Sequence, residues 1–114
     1  MARLDEYRTH LQNILKHHGN VQLRITNEED EIDREVICDI TDDHYLLVEV
    51  GWKGLKPVDN HLIHVDIRNG KIWIRRDFTE YGVANELVDL GVPKADIVLA
   101  FHAPYKRPFT GFAA

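Results

Sequence analysis

Serine is absent from all 114 positions, so a serine nucleophile is excluded. Cysteine occurs once, at Cys38, which rules out an internal disulfide. Cys38 sits inside a strand-like pattern and reads as a small core hydrophobe rather than a nucleophile. Long apolar runs are missing as well. The longest, Ile97 to Phe101, falls far short of the roughly 20 residues that a bilayer crossing needs. No glycine-rich phosphate cradle exists: the seven glycines are scattered, and Gly51-x-x-Gly54 lacks the strand-to-helix setting that such a loop requires. Bases are outnumbered, fourteen against nineteen acids, for a net charge of −5. That balance argues against autonomous duplex binding, which draws its affinity largely from neutralised phosphates. A restriction-type nuclease would need an acid followed by acid-x-Lys on adjacent strands. Neither Glu49-Val50-Gly51 nor Asp66-Ile67-Arg68 meets that test.

What is present is ordinary for a globular domain, with 44% hydrophobic and 29% charged residues. The length suits one domain spanning residues 1–114. The opening residues Met1 to Glu6 hold no apolar signal core, and with the single cysteine they point to a cytoplasmic protein. Charge is uneven along the chain. Nine of the nineteen acids lie between Asn27 and Asp43, with Arg34 the one base there. After Asp96 only Lys106 and Arg107 carry full charge.

Periodicity predicts an α+β domain. Leu4, Tyr7, Leu11, Ile14 and Leu15 recur at steps of three and four, one face of a helix that Gly19 stops. Val21 to Thr26 alternates briefly, as a short edge strand or a loop. Glu35–Ile40 and Tyr45–Trp52 form a hairpin about Asp42-Asp43, with Trp52 expected in the core. Asn69-Gly70 is the dipeptide of a type I′ turn, because both residues accept positive φ. It pairs Arg68 with Lys71, Ile67 with Ile72, Asp66 with Trp73, Val65 with Ile74 and His64 with Arg75. Ile63, Val65, Ile67, Ile72 and Ile74 then share an apolar face. A second helix is capped by Thr79, stapled by Phe78 and Val83, and ended by Gly91. Pro93 opens a short third helix to about Val98. Phe101–Ala114 is irregular. The expected architecture is an antiparallel meander of about four strands, with the N-terminal helix and the C-terminal helices packed on one face.

Candidate chemistry falls on the opposite, polar face. His61 and His64 stand three apart on a strand and so point to opposite faces, which excludes them as joint ligands. His64 and Asp66 share a face, and Glu49 on the neighbouring strand is expected to join them. Such a set could hold a divalent ion or run acid–base chemistry. An ordinary cross-strand polar ladder of His64–Arg75 and Asp66–Trp73 is the reading adopted, with no metal and no cofactor. Trp73, flanked by Lys71 and Arg75, either anchors an interface or is covered by the second helix or the tail. Arg75, Arg76, Lys106 and Arg107 are the cations best placed to touch phosphate.

The blocks Gly51-Trp52, His64-x-Asp66, Gly70-Lys71-Ile72-Trp73-Ile74, Thr79-Glu80, Glu86-Leu87, Gly91-Val92-Pro93, Asp96-Ile97-Val98-Leu99-x-Phe101-His102 and Pro104-x-x-Arg107 occur in this order after a Tyr7-Arg8 helix. In these blocks the chain resembles the XisI family, the fdxN element excision controlling factors of cyanobacteria, over nearly its whole length. Lys53 to Asn60 departs from the family pattern. The resemblance implies a non-enzymatic controlling factor in the site-specific excision of a DNA element during heterocyst differentiation. It also implies a nuclease-like XisH partner, with DNA engaged only indirectly. Glu49, His64, Asp66, Trp73 and Arg75 are expected to contact that partner. Arg76, Lys106 and Arg107 are weaker nucleic-acid candidates. The alternatives are an antitoxin-like inhibitor of the nuclease, a metal-dependent enzyme using His64, Asp66 and Glu49, and a homo-oligomer built on the one-sided sheet.

Overall fold

The computed structural model describes residues 2–20 and 30–114, so the segment Val21 to Thr26 lies outside the described residues. Helix α1 (Ala2–Gly19) leads to β1 (Glu31–Asp39), β2 (His44–Lys53), β3 (Lys56–Arg68) and β4 (Lys71–Asp77). Helix α2 (Val83–Asp89), a 3-10 turn (Lys94–Asp96), β5 (Ile97–Leu99) and a second 3-10 segment (Pro104–Phe109) follow. The sheet order is β1-β2-β3-β4-β5. The first four strands form the expected antiparallel meander, and β5 joins β4 in parallel. The sheet is therefore mixed and five-stranded. No described helix is long and apolar enough to cross a membrane.

The core follows the predicted faces. Tyr7, Leu11, Ile14 and Leu15 of α1 pack with Tyr45, Leu47, Ile63, Val65, Ile67, Ile72 and Ile74 of the sheet, and Val83, Ala84 and Leu87 of α2 close the cluster. Polar contacts fix α1 against the β1–β2 turn. The Arg8 guanidinium donates to both carboxylate oxygens of Asp43, at 2.8 and 3.1 Å, and the Tyr45 hydroxyl donates to Asp43 at 2.9 Å. The Arg8 hydrogen bonds hold the Asp43 carboxyl below its ordinary range against the opposing effect of burial. Asp96, buried, accepts from the Tyr7 hydroxyl at 2.5 Å.

Four expectations need correction. The third helix is one 3-10 turn, and Ile97-Val98-Leu99 is strand β5 instead. This apolar run completes a β4–α2–β5 crossover and is almost wholly buried. Helix α2 begins at Val83 and its N-cap is Gly82, not Thr79. Asp77, at the end of β4, does the capping: it accepts from the Val83 amide at 2.7 Å and from the Thr79 amide at 2.9 Å. Phe78 is not a staple; it is 44% exposed and lies under the Arg34 guanidinium. Trp52 is half exposed, because it stands near the end of β2 on the face opposite the described helices.

Candidate functional site

Helices cover one face of the sheet, and the other face carries the polar cluster. The two-residue alternation of a strand sends Ile63, Val65 and Ile67 into the core and His64 and Asp66 outward. The β3–β4 register runs as expected from Arg68↔Lys71 to Val65↔Ile74. It then shifts: His64 pairs with Arg76 and Ile63 with Asp77, so Arg75 is an extra, bulged residue. The expected His64–Arg75 pair is thus replaced. The bulge gives Arg75 a different partner, and its Nε donates to Asp66 Oδ2 at 2.5 Å.

A second irregularity lies between β2 and β3. Leu47 pairs with Ile63 but Val48 pairs with His61, which leaves Leu62 as the extra residue. Two consequences follow. His61 and His64 fall on the same face, with rings 6.4 Å apart, contrary to the ideal-strand argument. His44 is brought opposite Asp66. The Asp66 Oδ1 atom lies 2.8 Å from His44 Nδ1 and 3.1 Å from His64 Nε2. Asp66 is only 4% exposed. Burial pushes its carboxyl up, but the hydrogen bonds from His44 and Arg75 and the charge of both histidines outweigh it and hold Asp66 below the ordinary carboxylate range. The bond to Asp66 raises His44 above the ordinary imidazole value, against a smaller effect of desolvation.

Trp73 stands across the strand pair from Asp66. Its indole N–H donates to the Arg68 carbonyl at 3.2 Å. The guanidiniums of Arg68, Arg107 and Arg75 lie 5.5, 5.6 and 5.8 Å from its ring, within cation–π range. Arg107 comes from the C-terminal tail, so the tail reaches this face and borders Trp73 without burying it.

Glu49 does not belong to this cluster. It shares the helix-covered face with Tyr45 and Leu47, and it pairs with Arg34 of β1 at 3.5 Å. Arg34 in turn donates to the His18 carbonyl at the end of α1. With His18, Phe78, Thr79 and Glu80, Arg34 borders a cavity of about 410 Å³. The three weaker nucleic-acid candidates are also separated. Arg76 is exposed on β4, and Lys106 is exposed in the tail beside Tyr105. Arg107 donates to the His102 and Ala100 carbonyls, at 3.1 and 3.4 Å, and so latches the tail. His44 is a site residue that the sequence pattern missed, whereas alternation puts Arg68 on the polar face and only its contact with Trp73 is new. The signal for His44 would have been a β2–β3 hairpin register, and that register depends on the bulge at Leu62.

Chemically, the cluster offers one buried carboxylate, two imidazoles that open to solvent and a guanidinium, next to a partly exposed indole. No curated protein matches the chain. Among solved structures, a XisI-like protein from Anabaena variabilis ATCC 29413 is 35% identical with a TM-score of 0.86, covering 97% of this chain and 98% of its own. The fdxN element excision controlling factor XisI from the same organism is 36% identical with a TM-score of 0.85, covering 97% of each chain. The family model for the XisI protein matches residues 1–114. With that match and these relatives over the same fold, the chain belongs to the XisI family.

Proposed function

We infer that this chain is a regulatory subunit that controls excision of a DNA element by binding a nuclease-like XisH partner, with no catalysis of its own. The observation that carries this reading is the outer face around Trp73. There an indole ringed by three guanidiniums adjoins a buried carboxylate, on a surface that the apolar core does not use. Trp and Arg are enriched among the few residues that dominate binding at protein interfaces, because they bury large area while keeping directional polar contacts. His64, Asp66 and Arg75 set the charge pattern around Trp73, and Arg107 brings the tail to its ring. One solved relative is named a controlling factor, which favours a role exerted on other proteins.

Co-expression with the XisH-type partner, followed by size-exclusion chromatography with light scattering, tests this. The wild-type chain is expected to elute as a heterocomplex. Trp73→Ala is expected to release the partner while leaving the far-ultraviolet circular dichroism spectrum unchanged. Co-purification unaffected by Trp73→Ala overturns the assignment of this face.

A second reading, an antitoxin-like inhibitor, has its own observation. Glu31, Asp33 and Glu35 project at alternate positions from β1 and are all exposed. They form an acidic edge suited to a nuclease's basic groove. Charge reversal of all three is expected to abolish nuclease inhibition; full inhibition by the triple variant would remove this reading.

A further inference from the structure

We propose that His44, His64 and Asp66 bind one divalent ion of the zinc type on the outer face of the sheet. Each residue offers one donor atom, and the three donors lie within 4.8 Å of one another. His44 Nδ1 and His64 Nε2 stand 2.8 and 3.1 Å from the same oxygen, Asp66 Oδ1. Donors about 2.0–2.1 Å from one ion, at angles between tetrahedral and octahedral, stand about 2.8–3.4 Å from one another. The nitrogen–oxygen spacings are therefore those of a coordination shell.

The donor set selects the class of ion. Two imidazole nitrogens and one carboxylate oxygen suit zinc, cobalt, nickel or ferrous iron. Magnesium and calcium prefer oxygen donors throughout. The surroundings are those of a held ligand set. Arg75 Nε donates to Asp66 Oδ2 at 2.5 Å, which turns Oδ1 toward both histidines and leaves one oxygen for the ion. Asp66 is fixed on β3, inside the sheet, with its side chain 5% exposed. The His44 and His64 side chains are 53% and 31% exposed, so the ion has an entry path and an open coordination position for water. The alternative is a pure hydrogen-bond cluster, in which a single carboxylate oxygen takes N–H bonds from two imidazoles at once. One dication replaces both protons and satisfies all three donors.

This inference does not rest on partner binding, and its test uses the isolated chain. Zinc is titrated by calorimetry into the tag-free protein after removal of metal by chelator. One equivalent is expected to bind. His44→Ala and His64→Ala are each expected to weaken binding about 100-fold, since loss of an outer supporting residue alone costs about 10–100-fold. Glu49→Gln, on the other face, is expected to leave the affinity unchanged. Binding well below one equivalent overturns the proposal. So does undiminished affinity in the His44→Ala, His64→Ala double variant, because the ion would then sit on other histidines among the seven. A readout that needs no variant is the visible spectrum of the cobalt-loaded wild-type chain. Intense bands of a four- or five-coordinate site are expected, and the weak spectrum of hydrated cobalt overturns the proposal.

Discussion

Replacing Gly51 by alanine tests the geometry of the β1–β2 pair. Gly51 has a φ of +142°, a region that L side chains rarely adopt. A Cβ added there would lie 1.8 Å from the Glu31 carbonyl oxygen, 2.8 Å from its carbon and 3.0 Å from the Ile32 Cα. Carbon and oxygen atoms in weak contact settle at about 3.3–3.6 Å. Strand β1 must therefore retreat by about 1.5 Å where Ile32 faces Gly51. The unfavourable φ costs about 1–3 kcal/mol. Loss of the ladder bonds at that end of β1 adds about 1 kcal/mol each. The stiffer unfolded chain returns less than about 1 kcal/mol. The net loss is about 3 kcal/mol, which lowers Tm by about 12 °C in a domain of this size. Gly54 supplies the control. Its φ is +61° and nothing lies within 4 Å of its added Cβ, so Gly54→Ala bears the backbone cost without a clash and is expected to lose only about 1 kcal/mol. Urea unfolding of both variants, followed by tryptophan fluorescence, measures the difference. Equal midpoints for Gly51→Ala and Gly54→Ala would refute the close approach of β1 to Gly51. The result bears on the family pattern as well, because it gives Gly51 of the Gly51-Trp52 block a steric reason.

Asp77→Ala removes the acceptor that joins β4 to the start of α2, where the carboxylate takes the amides of Thr79 and Val83 and the Thr79 hydroxyl. A loss of about 2–3 kcal/mol is expected from these charge-assisted bonds, and a shift in the urea midpoint worth under about 0.5 kcal/mol would contradict the capping role. Burial pushes the Cys38 thiol up, and the nearby Lys16 charge offsets only part of this. Because only the thiolate reacts, the pH profile of iodoacetamide alkylation is expected to lie on the alkaline side of the profile for free cysteine; a midpoint at or below that of free cysteine would contradict it.

Local rules account for most of the fold. The α1 stripe is a matter of 3.6-residue spacing, and Tyr7, Leu11, Ile14 and Leu15 are buried as that spacing requires. Asn69 and Gly70, with φ of 53° and 74°, make the expected turn, and four residue pairs of the hairpin follow from it. Strand β5 was not legible. Three apolar residues carry no usable period, and only the exposed edge of β4 makes them a strand. Glu49 was legible in principle: alternation along β2 puts it on the face of Tyr45 and Leu47, whatever the neighbouring strand does.

The polar cluster was only half legible, and the reason is physical. His64 and Asp66 share a face by period alone, whereas His44 and Arg75 reach Asp66 through two irregularities in the ladders. From the Lys53↔Lys56 pair outward, a regular β2–β3 hairpin would set His44 against Val65; the extra residue Leu62 moves it to Asp66. On the other side, a regular β3–β4 ladder would pair Arg75 with His64, and the bulge frees it for the Asp66 carboxylate. Both bulges lie toward the end of the hairpin away from the Asn69-Gly70 turn, beside Ile63 and Ile74, so an ideal ladder still sorts the apolar residues correctly. The same ideal ladder leaves Asp66 without two of its three partners. A bulge re-aims polar side chains at little cost to the core beside it, and here one on each flank of Asp66 assembles the site.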